Sequence, residues 1–320
     1  HVFEEVVQEI FGKKGAQVVA KNMDAIKAGY DYMKKQLVNG VEIMELEKAD
    51  GKKRMFMIGN DAIALGAVAA GCRFMAAYPI TPASEIMEYL IKKLPALGGS
   101  VIQTEDEIAA CTMAIGANYA GVRTITASAG PGLSLKMEAI GLSGITETPL
   151  VIVDTQRGGP STGLPTKQEQ SDLMAMIYGT HGEIPKIVMA PSTVEEAFYD
   201  TTEAFNLAEE YQCPVIVLTD LQLSLGKQTV EPLSMDRVEI RRGKLVTDEI
   251  PESENKAYFK RYEVTADGVS PRVIPGMKNG IHHVTGVEHD ETGKPSESAV
   301  NRNAQMDKRF RKIENIRFNT

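Results

Sequence analysis

From Arg54 to Asp220 the chain alternates between short apolar runs and amphipathic stretches of helical length. MFMI (55–58) precedes DAIALGAVAAG, and RFMAAY (73–78) precedes ASEIMEYLIKKL. VIQT (101–104) precedes DEIAACTMAIGANYAG, and RTITAS (123–128) precedes GLSLKMEAIGLSG. LVIVDT (150–155), KIVMA (186–190) and VIVLTD (215–220) complete the series. The runs are apolar at consecutive positions, the pattern of strands covered by helices on both faces. After residue 190, Val194, Ala197, Phe198, Thr201, Phe205 and Ala208 fall on one face of a helix. Strand–helix–strand units of this length predict an α/β fold: a doubly wound, mostly parallel sheet.

The flanks differ. Residues 1–50 read as a helical segment, with Val2, Phe3, Val6, Val7, Ile10 and Phe11 at helical spacing before Gly12 and Gly15 interrupt. The α/β domain is placed at 51–226. Residues 227–320 are polar, rich in Gly and Pro and weakly periodic. They are too long for an ordinary loop and read as an irregular extension or a connection to a further domain. Within them, Lys308-Arg309-Phe310-Arg311-Lys312 reads as a solvated helix face. The chain opens on His1 and is expected to be a piece of a longer protein or a processed form.

Composition narrows the function. A formal charge of −8 argues against a nucleic-acid surface, and 43% hydrophobic residues is ordinary for a globular protein. No apolar run approaches the length of a membrane span, and no signal peptide is visible. Cys72, Cys111 and Cys213 are far apart and form no CxxC, which points to a reducing, cytoplasmic setting without a disulfide framework or a cysteine-bound cluster. His282, His283 and His289, near Glu288 and Asp290, match no standard zinc spacing and read as a polar surface loop.

Open parallel sheets bind ligands beyond the carboxyl ends of their strands. Four segments follow strands here: Pro79-Ile80-Thr81-Pro82, then Glu105-Asp106-Glu107, Ala129-Gly130-Pro131-Gly132, and Gln156-Arg157 with the loop running on to Thr166 and Lys167. Each has a plain structural explanation. Thr81 suits a helix cap, the acidic residues suit the positive end of a helix, the glycines suit a turn, and Arg157 suits a surface ion pair. Their common edge favours a binding site. Gly159-Pro160-Ser161-Thr162-Gly163 fits the GxSxG pattern of a hydrolase elbow, but its prolines argue for an irregular loop instead. There is no P-loop, and no GxGxxG follows a strand.

GNDAIALGAVAAGCRFMAAYPITPASEI, QTEDEIAA, TASAGPGLSLKMEAIGL and DTQRGGPSTGLPTKQEQSDL resemble the alpha subunit of 2-oxoacid:ferredoxin oxidoreductases, most of all the 2-oxoglutarate type. The tail GVSPRVIPGMKNGIHHVTGVEHDETGKPSESAVNRNAQMDKR resembles the same subunit, and the opening helices resemble the end of a gamma domain fused ahead of alpha. The resemblance implies a thiamine-diphosphate pyrimidine-binding domain. It also implies oxidative decarboxylation of a 2-oxoacid to its acyl-CoA, with electrons passed to ferredoxin. The cofactor would be shared with a beta subunit that carries the magnesium and the iron–sulfur cluster, so a hetero-oligomer is expected.

By this resemblance Glu105 is the catalytic glutamate on the pyrimidine ring, a proton-sharing role that glutamine cannot fill. Thr81, Arg157 and Thr166 face the substrate, with the planar guanidinium suited to a carboxylate. Pro79 and Ile80 line the thiazolium pocket. Ala83 stands where YPITPSS is common in the family, at a position expected to be less critical. The competing expectations are a ferredoxin-independent thiamine enzyme and a non-catalytic α/β scaffold.

Overall fold

The computed structural model describes residues 2–37, 47–252, 258–314 and 316. The chain forms two compact units, residues 1–52 and 53–320. The first contains helix α1 (Val2–Phe11), a short 3-10 turn and helix α2 (Ala16–Leu37). Gly15, at φ 98°, allows the chain to turn between them. The remainder of the expected helical segment at 38–46 lies outside the described residues.

The second unit is built on six parallel strands in the order β3-β2-β4-β5-β7-β6. They are β2 (Phe74–Ala77), β3 (Ser100–Gln103), β4 (Thr124–Ser128), β5 (Leu150–Gln156), β6 (Ile187–Met189) and β7 (Pro214–Asp220). Helix α3 (Gly59–Ala69) precedes β2; between the strands run α4 (Ser84–Lys93), α5 (Glu107–Tyr119), α6 (Gly130–Ile145), α7 (Leu173–Tyr178) and α8 (Val194–Tyr211), and the short α9 (Leu221–Leu225) follows β7. The expected doubly wound parallel sheet is therefore present. The expected first strand differs: β1 (Met55–Met57) lies outside the main sheet and pairs antiparallel with β8 (Gln228–Val230). Phe56 points to solvent at 68% exposure, so β1 is covered on one side only.

The core sits on both faces of the sheet. Ala62, Ile63, Ala67, Ile86, Phe198 and Phe205 pack on one side, and Cys111, Leu133, Ile140 and Met176 on the other. The α8 face expected from periodicity is buried at all six positions. Helices α3 and α8 approach closely at Gly66, where a Cβ would meet the Phe198 carbonyl oxygen at 2.5 Å.

Residues 227–320 belong to the same compact unit as the sheet. Among the described residues the regular elements there are β8, a 3-10 turn (Met235–Arg237) and helix α10 (Ala299–Glu314). Buried charge fastens this stretch down. Lys308 and Lys312 of α10 pair with Glu147 at 2.5 and 2.9 Å, and all three side chains are fully enclosed. Arg261 Nη2 donates to the Glu147 carbonyl at 2.6 Å. A second carboxylate, Glu209 on α8, pairs with Arg123, Arg242 and Arg272. The basic cluster at 308–312 is thus not a solvated face: its spacing puts Lys308, Arg309 and Lys312 inward, where a buried glutamate requires counter-charges. His289 is buried too, with its ring 4.1 Å from that of Tyr262, whereas His283 is exposed. Among the described residues no group of His, Cys, Asp or Glu is placed to hold a metal, and no helix is long and apolar enough to cross a membrane.

Candidate active site

The strand order reverses between β2 and β4, and α4, α5 and α6 begin at the carboxyl edge around that point. This is where a crevice opens in doubly wound sheets. Three turns meet there.

The first is the turn after β2. Thr81 is exposed, Pro79 and Ile80 are half-buried, and Pro82 is buried behind a cis peptide bond. Buried Asn60 of α3 donates to the Pro82 carbonyl at 2.6 Å, and the Ala83 amide donates to the Ile80 carbonyl at 2.7 Å. Ile80 also packs on the main core. The backbone is therefore held from behind while the Thr81 side chain faces outward. Thr81 is not a helix cap; α4 begins at Ser84 after Ala83, without a side-chain cap.

The second turn follows β3. Asp106 caps α5, its carboxylate accepting the Ala109 amide at 2.7 Å, and the Thr104 hydroxyl donates to the Asp106 carbonyl at 2.8 Å. Glu105 is exposed in this turn. Glu107, the first residue of α5, is buried, with 7% of its surface exposed. Its carboxyl reaches the start of α6: a Cβ on Gly132 would lie 2.6 Å from Glu107 Oε1 and 2.0 Å from Ser128 Oγ. Any larger residue there would have to displace the Ser128 hydroxyl and the Glu107 carboxyl. The sequence reading missed Glu107, although the helical spacing of Glu107, Ala110, Cys111 and Ala114 marks it as inward-facing.

The third turn follows β5. Arg157 is buried at 6% exposure, donating from Nη1 to the Thr81 carbonyl at 2.6 Å and from Nη2 to the Thr162 carbonyl at 3.0 Å. Its Nε has no partner among the described residues. Arg157 thus joins the first turn to the 158–167 loop, and it lines a cleft with Gly130, Pro131, Ser134 and Asp172. The loop is stitched to itself, Gly158 N donating to the Lys167 carbonyl and Leu164 N to the Gly158 carbonyl. Thr166 lies exposed on it. Gln170 and Gln168 anchor the loop's far side at Asp220 and Gln222, both near the end of β7. No helix follows Ser161 directly, so the strand-to-helix elbow of a hydrolase is absent.

The structure therefore brings Thr81 and Arg157 into contact and sets Glu107 against Ser128 and Gly132. Glu105 and Thr166 face solvent without joining either group. A buried carboxyl, a buried guanidinium with an N–H to spare and a backbone cradle without a side chain are suited to a ligand that carries both a hydrogen-bonding ring and a carboxylate.

Fold and edge are those of the α/β class whose crevice lies at the switch point of a parallel sheet. Residues 65–308 match the family model described as pyruvate flavodoxin/ferredoxin oxidoreductase, thiamine diphosphate-binding, and the chain belongs to that family. It is 42% identical over 322 residues to the alpha subunit of 2-oxoacid:ferredoxin oxidoreductase 1 from Sulfurisphaera tokodaii, covering 96% of this chain and 48% of that protein. It is 46% identical over 256 residues to the 2-oxoglutarate synthase subunit KorA from Methanothermobacter marburgensis, covering 80% of this chain and 66% of that one. A solved 2-oxoglutarate:ferredoxin oxidoreductase from Magnetococcus marinus, with 2-oxoglutarate, coenzyme A and succinyl-CoA bound, superposes with a TM-score of 0.85 at 40% identity. That match covers 98% of this chain and 54% of the solved one. The chain thus spans about half the length of the Sulfurisphaera relative and of the solved structure.

Proposed function

We propose that this chain supplies the pyrimidine-binding half of a thiamine-diphosphate site in a 2-oxoglutarate:ferredoxin oxidoreductase. The reaction is oxidative decarboxylation of the 2-oxoacid to its acyl-CoA, with electrons passed to ferredoxin. A beta subunit completes the site and carries the magnesium ion and the iron–sulfur cluster. The observation that carries this reading is the Glu107 carboxyl, buried by this chain alone and facing Gly132, where a side chain would displace it.

The residues present fit the cofactor. When bound, thiamine diphosphate supplies the nucleophile and the electron sink for decarboxylation. Glu107 would hold the pyrimidine ring and share a proton with it, a role that low local dielectric strengthens. We assign this role to Glu107 rather than to Glu105, because an exposed carboxyl keeps its proton exchange with water. Gly132 leaves room beside the carboxyl. Pro79 and Ile80, fixed by the bonds behind them, present an apolar wall. Arg157 binds a substrate carboxylate through its remaining N–H groups, and its hold on the Thr81 carbonyl sets the adjacent hydroxyl in place beforehand. Thr166 adds a hydroxyl from the loop. Burial leaves the Arg157 charge little screened by water.

The test is CoA-dependent reduction of ferredoxin by 2-oxoglutarate, with pyruvate for comparison, in the enzyme assembled with its partner subunit. Glu107→Gln is expected to lower turnover by about 10²-fold or more, at the low end of the range for a lost acid–base group, with assembly intact. Glu105→Gln is expected to keep most of the activity. The reverse pattern would return the role to Glu105, and preference for pyruvate would overturn the substrate.

A further inference from the structure

Three successive peptide planes in the turn after β2 are each held through their carbonyl. The Ile80 carbonyl accepts the Ala83 amide at 2.7 Å, the Thr81 carbonyl accepts Arg157 Nη1 at 2.6 Å, and the Pro82 carbonyl accepts Asn60 Nδ2 at 2.6 Å. The planes on both sides of Thr81 are therefore fixed, and with them the direction in which its side chain leaves the backbone. The Pro82 ring fixes φ at that residue, so the hold on its carbonyl reaches Thr81 with one torsion left free between them. The exposed Thr81 hydroxyl is thus placed by the backbone behind it.

The three donors differ in what else they have to do. The Ala83 amide belongs to the turn itself. Arg157 has a substrate carboxylate to bind. Asn60 comes from another element, α3, is fully buried and cannot touch a ligand at the edge. Its Nδ2 lies between the Pro82 carbonyl and the Glu85 carboxylate, the latter at 3.2 Å. Both are acceptors, so the position calls for a donor, and an aspartate there would face them with oxygen. Asparagine is a poor helix former, so the contact accounts for it in the first turn of α3 better than propensity does.

Asn60 is itself held. A Cβ on the preceding Gly59 would lie 2.3 Å from the Leu223 carbonyl oxygen, so the start of α3 is seated hard against α9. Asp220 caps α9, accepting the Leu223 amide at 2.8 Å, and its other oxygen accepts Gln170 Nε2 at 2.5 Å. The frame behind Asn60 therefore also anchors the stretch that carries Thr166.

We propose that Asn60 is a positioning residue for Thr81: its amide sets the turn from behind, so that the hydroxyl stays in place when Arg157 is drawn toward substrate. The proposal rests on the substrate-facing role given to Thr81 above. Asn60 acts only through the Pro82 carbonyl, and its loss should cost what losing the Thr81 hydroxyl costs.

Two measurements on the protein assembled with its partner subunit test this. In hydrogen exchange followed by mass spectrometry, Asn60→Leu is expected to speed exchange over residues 79–86 by at least about tenfold, with α8 unchanged. Parent-like exchange over 79–86 would overturn the proposal, whether or not the parent reduces ferredoxin with 2-oxoglutarate. The second is a double-mutant cycle in kcat/KM for 2-oxoglutarate. Asn60→Leu and Thr81→Val are each expected to lose roughly tenfold, as for one hydrogen bond to a charged group. The double variant should also lose roughly tenfold, whereas independent sites would multiply to about a hundredfold. Multiplied losses, or parent-like kcat/KM for Asn60→Leu, would overturn the proposal; a merely structural Asn60 gives the multiplied result. If Asn60→Leu does not assemble, Asn60→Ser, whose hydroxyl is too short to reach Pro82, takes its place in both. A parent inactive with 2-oxoglutarate would instead count against the proposed reaction, and the exchange result would then decide for Asn60 alone.

Discussion

Replacing Glu147 by glutamine keeps its shape and removes its charge. The carboxylate accepts from Lys308 at 2.5 Å and Lys312 at 2.9 Å, and none of the three side chains reaches water. Burial alone would push its ionisation up; Lys312, Lys308 and then Arg261 outweigh that and hold it well below the usual carboxylate range. Burial pulls Lys308 down to about 8, which still leaves it charged at neutral pH. Glu147→Gln therefore strands two buried ammonium groups. Breaking a buried pair on one side costs about 3–5 kcal/mol. At roughly 2–4 °C per kcal/mol for a unit of this size, the melting temperature should fall by about 10 °C. Calorimetry of the assembled protein at pH 7 measures this, with Asp267→Asn as the comparison. Asp267 pairs with Lys244 at the surface, with side-chain exposures of 55% and 44%, so its loss should cost less than about 1 kcal/mol. If Glu147→Gln melts within about 2 °C of the parent, as Asp267→Asn is expected to, the buried pairs do not fasten α10 and the reasoning fails.

Two further outcomes are expected. Gly132→Ala places a methyl 2.0 Å from Ser128 Oγ and 2.6 Å from Glu107 Oε1, so kcat/KM should fall by about 10²-fold through misplacement of Glu107, while assembly measured by size-exclusion chromatography is retained; parent-like kcat/KM would show that the carboxyl position is not critical. Glu288 is pushed up by burial but pulled down further by Arg309 and Arg302, to about 2, so its contribution to stability is present above its ordinary value of 4.5 and lost as pH falls from there toward about 2. Urea midpoints measured across that window should fall more steeply for the parent than for Glu288→Gln, and parallel curves would count against it.

The sheet was legible because its strands are unbroken apolar runs and its helices carry clean stripes; α8 is buried at every position its spacing indicated. The misplacement of β1 has a local cause. MFMI reads like the other runs, and nothing in four residues reveals that their partner is the distant stretch 228–230. The edge of the site was legible too, since Thr81 and Arg157 follow strands that the pattern brings together, and they are in contact. What escaped was polar residues on apolar stripes. Glu107 occupies a position whose spacing points inward, and so do Lys308 and Lys312, which a charge run made look solvated. Such residues are placed by partners far away in sequence, and periodicity in one segment does not show those partners.

That distance bears on how the molecule is made. Glu147 and Lys312 are separated by 165 positions. At about 5–20 residues per second, a ribosome needs on the order of 10 s or more between them. Throughout that interval the loop after α6 holds a carboxylate whose counter-ions have not been synthesised. The α/β core can begin to condense, but Glu147 must stay hydrated until α10 emerges. Helix α10 is thus the element that lets this end of the sheet go dry.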